Sequence, residues 1–108
     1  MAAKALFIVR AEVADPADRS DFDRWYAEEH LPDALSTFKA DRAWRSWSRT
    51  YPASHCAFYE FSEIAAAHAA LQSDGAKRLI ASFDQAWGHR VSRTRDLVEI
   101  VQSLANSS

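Results

Sequence analysis

The 108-residue chain carries one cysteine, two glycines and three prolines. Cys56 has no second thiol to pair with, which excludes an internal disulfide and makes the reducing cytoplasm the expected location. Glycine occurs only at Gly75 and Gly88, so neither common Gly-rich phosphate cradle is present. His30, His55, His68 and His89 are scattered, with no H-x-x-x-H or C-x-x-C spacing, and no metal or organic cofactor is expected. A net charge of −2 provides no electrostatic footprint for a polyanion, which counts against nucleic acid as the main partner. No apolar run approaches membrane-spanning length. Met1–Lys4 leads straight into a strand-like segment rather than a long signal-type apolar region. No membrane partner is expected.

What is present is apolar and aromatic. Hydrophobic residues make up 48% of the chain and four tryptophans are among them, enough for a packed core in one domain spanning 1–108. Fraying is expected at about 1–4 and 103–108. Lys4–Val13 alternates as a strand, with Ala5, Phe7, Val9, Ala11 and Val13 on one face. Asp15-Pro16 reads as a turn, and Ser20 with Asp23 approximates a capping box for a helix running to His30. Pro32 can open a further short turn to Ser36. Ala40–Tyr51 and Cys56–Phe61 read as a hairpin. Ser62 caps an Ala-rich helix that Gly75 can close in a left-handed conformation. Ala76–Trp87 places Leu79, Phe83 and Trp87 on one helical stripe, and Val91–Val101 is a last strand.

The stretch Phe22–Asp33 (FDRWYAEEHLPD) is the most informative. On a regular helical wheel with Phe22 at zero, Trp25 falls at about −60°, Glu29 at about −20°, Tyr26 at about +40° and His30 at about +80°. Two titratable groups thus share the apolar arc. Pro32 should stop the helix and push Leu31 out of the helical region. His30 would then sit in the last turn, where the helix dipole favours imidazolium and burial against Trp25 and Tyr26 opposes it.

The order β-α-β-β-α-(α)-β is the split βαβ pattern of a ferredoxin-like α+β fold, an antiparallel sheet with helices on one face. Its other face, rich in apolar strand residues, needs a cover, and pairing into a homodimer is the expected solution.

The run Trp25, Tyr26, Glu29, His30, Leu31, Pro32, Asp33 resembles the motif of the EthD-like family in the dimeric α+β barrel superfamily. The Tyr59–Phe61 strand followed by an Ala-rich helix is similar too, and the resemblance extends over roughly Leu6 to Val101. It implies two ferredoxin-like sheets paired as a dimeric α+β barrel. The implied activity is that of a small cofactor-free isomerase, cyclase, decarboxylase or monooxygenase, acting on an aromatic, polyketide-like or lactone molecule. His30 is the implied acid/base group and Glu29 its assistant. Phe22, Trp25, Tyr26, Trp44 or Trp47 (whichever faces inward), Phe83 and Trp87 are the candidate pocket walls. Histidine suits proton removal from carbon α to a carbonyl near neutral pH.

Two other classes fit the same element order. A non-catalytic dimeric module binding a hydrophobic small molecule predicts a closed, dry core around His30. An RNA-recognition module is the other: Ser54–Phe61 (SHCAFYEF) can be laid on its third-strand motif, with Ala57, Phe58 and Phe61 matching. Ser54 and Cys56 lack the basic and stacking side chains that RNA binding needs.

Overall fold

The computed structural model describes residues 3–107. Four strands, β1 (Ala5–Glu12), β2 (Arg42–Trp47), β3 (Ser54–Phe61) and β4 (Ser92–Glu99), form one antiparallel sheet in the order β2-β3-β1-β4. Helices α1 (Pro16–Trp25), α2 (Leu31–Phe38), α3 (Ile64–Leu71) and α4 (Asp74–Trp87) accompany it. This is the expected ferredoxin-like α+β topology. Among the described residues no helix is long and apolar enough to cross a membrane.

Strand periodicity assigns the faces. Ala5, Phe7, Val9 and Ala11 of β1, and His55, Ala57, Tyr59 and Phe61 of β3, are buried. Register adds Ala43, Arg45 and Trp47 from β2 and Arg93, Arg95 and Leu97 from β4 to that face. From above, α1 contributes Phe22 and α4 contributes Ala76, Leu79, Phe83 and Trp87. The opposite sheet face carries Leu6, Ile8, Trp44, Phe58 and Val98 at its apolar end and Arg10, Glu12, Ser46 and Cys56 at the other.

Several boundaries differ from the sequence reading, each for a local reason. α1 starts at Pro16, because Asp15 accepts a hydrogen bond from the Ala17 N–H (3.0 Å) and Pro16 is preset for the first helical position. β2 stops at Trp47 because the Ser48 hydroxyl accepts from the Thr50 and Tyr51 N–H groups and folds the chain into a loop. Gly75 does not close α3. It lies in the first turn of α4, whose N-cap is Ser73, and a Cβ there would collide with Thr37 Cγ2. Its absence lets α2 and α4 approach closely. Fraying expected at residues 1, 2 and 108 lies outside the described residues. Lys4 is tied down, its carbonyl accepting from the Ile100 N–H at 2.8 Å.

The main correction concerns Pro32. The chain does not leave the helical region at Leu31 (φ −64°, ψ −47°), and α2 follows directly, ending only at Lys39 in a left-handed conformation (φ 55°). What joins α1 to α2 is a single π-helical turn, Tyr26–His30, in which the Leu31 N–H donates to the Tyr26 carbonyl. The wider turn moves the carbonyl four residues back out of the way of the proline ring, so helix and proline coexist. It also advances each residue by less than the regular angle. His30 is thereby carried into the core and Glu29 out of it.

Candidate active site

His30 is 8% exposed. Its ring stacks on Trp25 (centroids 4.6 Å, planes 18° apart) and meets the ring of Tyr26 edge-on at 4.9 Å and that of Phe83 at 5.7 Å. The fourth wall is empty space. A cavity of about 160 Å³ lies between the helix-side face of the sheet and helices α2, α3 and α4, open to solvent on one side. Phe7, Val9 and Tyr59 form its floor, Phe38, Leu71, Ala76, Leu79 and Ile80 its apolar sides, and His30, Arg93 and Arg95 its polar groups.

Electrostatics decide the state of His30. Burial pushes its pKa down to about 4, the nearby Arg93 guanidinium adds to that, and Asp33 opposes weakly. Because helix continues through α2, there is no helix end here to favour imidazolium. The side chain is a neutral imidazole at pH 7. Arg93, from β4, has a side chain only 12% exposed, lies over the Phe83 ring (3.9 Å to the centroid) and donates to Asp84 at 2.9 Å. Burial raises both the Tyr59 and the Tyr26 phenol, Tyr26 to about 12. Both stay protonated.

Among the residues expected at the site, His30 alone lines this cavity. Glu29 is exposed, rotated away by the π turn. Trp44 lies on the opposite sheet face, stacked on Phe58 at 5.5 Å with Arg42 over its ring, because its register position has the other parity. Trp25, Tyr26 and Phe83 act on the site through His30. Phe22, Trp47 and Trp87 pack behind them: Phe22 contacts Trp47 at 6.0 Å and Trp87 at 5.2 Å.

A second polar group, apart from the cavity, sits at that rear cluster. The Asp23 carboxylate accepts from Arg45 and from the Trp47 indole, both at 2.8 Å, which holds its pKa below the usual carboxylate value. Arg45 Nη1 lies 3.3 Å from His55 Nε2. A guanidinium can only donate, so Nε2 accepts and the His55 proton is on Nδ1, which has no partner among the described residues. Burial and then Arg45 lower the His55 pKa to about 4.

Sequence reasoning missed Arg93, Arg95, Tyr59 and Phe38. For the arginines a signal existed. In Ser92–Leu97 (SRTRDL) they alternate in phase with Leu97, which places them on the core face of an edge strand.

Comparison with known structures agrees with the fold. SnoaB from Streptomyces nogalater, a cofactor-independent oxygenase, superposes with a TM-score of 0.71 at 16% identity, covering 95% of this chain and 98% of that one. An ethyl tert-butyl ether degradation (EthD) family protein from Bacillus halodurans matches with a TM-score of 0.66 at 14% identity, over 86% and 96% of the two chains. The chain shares the fold of these proteins. HapK from Hahella chejuensis matches similarly (TM-score 0.68, 13% identity, 96% and 99% covered). No family model and no curated protein matches the sequence. The likeness is one of ferredoxin-like α+β architecture, the class to which EthD and cofactor-independent oxygenase neighbours belong.

Proposed function

We propose that this protein is a small cofactor-independent enzyme, of isomerase, cyclase, decarboxylase or monooxygenase type, that uses His30 for acid/base chemistry on an aromatic, polyketide-like or lactone molecule. One observation carries the reading: a neutral imidazole forms part of the wall of a largely apolar, solvent-connected cavity, beside a partly buried arginine. The cavity also favours an enzyme over a non-catalytic module, which would pack His30 shut. The RNA reading loses support, since Ala57 and Phe61 are buried on the helix side and only Phe58 of the matched residues is on the open face.

The step that fits is enolisation. The imidazole lone pair takes a proton from carbon α to a carbonyl, and the C–H electron pair moves onto the carbonyl oxygen as an enolate. Arg93 then stands as counter-charge to that oxygen, and Glu29, being exposed, takes no part in stabilising the imidazolium. The imidazolium formed is stabilised by the Trp25 face against which it stacks and by the new negative charge. Returning the proton at another carbon completes an isomerisation; attack of the enolate carbon on a second carbonyl, whose oxygen takes the electron pair and then the proton from the imidazolium, completes a cyclisation. The open sheet face, with Leu6, Ile8, Phe58 and Val98 half-buried and charges of both signs around them, suits a second copy of the chain in a paired barrel. The lone thiol of Cys56 suits a reducing cytoplasm.

The test is turnover by His30→Gln on enolisable lactones and aromatic ketones. The expected loss is roughly 10²–10⁴-fold, the usual contribution of a general base, with the mass in sedimentation unchanged. Full activity in the variant would remove His30 from the chemistry.

A further inference from the structure

We infer that the cavity takes a single-ring ligand bearing a carboxylate, with the ring in the apolar slot and the carboxylate on the Arg93–Arg95 side. This rests on the proposed site and narrows its substrate class. Size comes first. About 160 Å³ is close to the ~150 Å³ engineered cavity that holds one benzene molecule and well below the roughly 300–1,000 Å³ of pockets for drug-sized ligands. A fused three-ring skeleton is larger than the enclosed volume between Phe7, Phe38 and Leu79.

Charge comes second. Arg93 and Arg95 are two apart on β4, so both face the same side of the strand, one at depth and one at the exposed mouth. Arg93 is partly neutralised by Asp84 through one Nη, and Arg95 makes no ion pair among the described residues. His30 contributes no charge. The slot thus has a net positive side and three apolar sides, complementary to a compact anion with a flat hydrophobic body. Guanidinium pairs especially well with carboxylate, through charge-assisted and often bidentate hydrogen bonds.

Equilibrium binding of benzoate, benzamide and anthracene-9-carboxylate to the full chain tests this, followed by amide shifts at Val9, Leu79 and Ile80. Benzoate is expected to bind at least tenfold tighter than neutral benzamide and at least tenfold tighter than the three-ring acid, with shifts at those residues. Arg95→Gln, a change at an exposed position that the fold tolerates, should weaken benzoate about fivefold and leave benzamide unchanged. Equal affinity for benzoate and benzamide, tighter binding of the three-ring acid, or no shifts at the cavity residues would overturn the inference. Benzoate needs no turnover. A His30→Gln protein that binds it but is fully active, or one that is inactive but does not bind it, therefore separates failure of the catalytic reading from failure of this one.

Discussion

Lowering the pH from 6.5 to 4 is expected to remove several kcal/mol of folding stability, most of it through two histidines. His30 and His55 both have folded pKa values of about 4 against an ordinary value of 6.5. A group whose folded pKa is depressed binds its proton more readily in the unfolded chain. Its contribution is complete above 6.5, declines as pH falls, and is gone near 4, where both states are protonated. Each buried imidazole is worth about 3 kcal/mol over that window, a large share of the ~5–15 kcal/mol typical of a domain. Asp23 adds to the loss at lower pH, since its depressed pKa means that its stabilisation fades only below the usual carboxylate value. Urea unfolding at pH 7, 6, 5 and 4 measures the slope. His30→Gln, neutral at every pH, should flatten it by about half. An unchanged slope in that variant would show that His30 is not held neutral by the fold.

The second large effect is at Phe22. Its ring is fully buried and lies within 6.2 Å, centroid to centroid, of Trp25, Tyr26, Trp47, His55, Phe83 and Trp87. It holds together the rear cluster and the rings that orient His30. Phe22→Ala is expected to cost about 3–5 kcal/mol, the range for a phenylalanine removed from a close-packed core. In a chain of this length that lowers Tm by roughly 15 °C or more. Phe22→Leu should recover much of the loss. An alanine variant within about 1 kcal/mol of the parent would mean that the cluster packs loosely, and the fixed orientation of His30 would lose its basis.

Which parts of this molecule were legible beforehand follows from the physics of each. Strand alternation in Lys4–Val13 is a local property, and it assigned the buried face of β1 correctly. The stripe Leu79, Phe83, Trp87 likewise gave the buried face of α4. The π turn was not legible. A wheel assumes one angle per residue, and Pro32 reads locally as a stop; only the tertiary pull of the core on His30 makes a wider turn the better compromise. The error moved Glu29 onto the core arc and hid its exposure. The cavity was not legible either, because it is defined by what Val9 and Ala76 fail to fill between elements far apart in sequence. Tryptophans attract attention as pocket walls, yet Trp47 and Trp87 pack in the rear cluster and Trp44 faces away.

The fold keeps a neutral imidazole at the wall of a positively charged slot. The most direct measurement is the titration of His30 by NMR of ring-labelled protein, alone and with saturating benzoate. A midpoint near 4 is expected in the empty protein, moved upward when the bound anion offsets Arg93 and Arg95. A midpoint at or above the ordinary 6.5 in the empty protein, unmoved by benzoate, would contradict it.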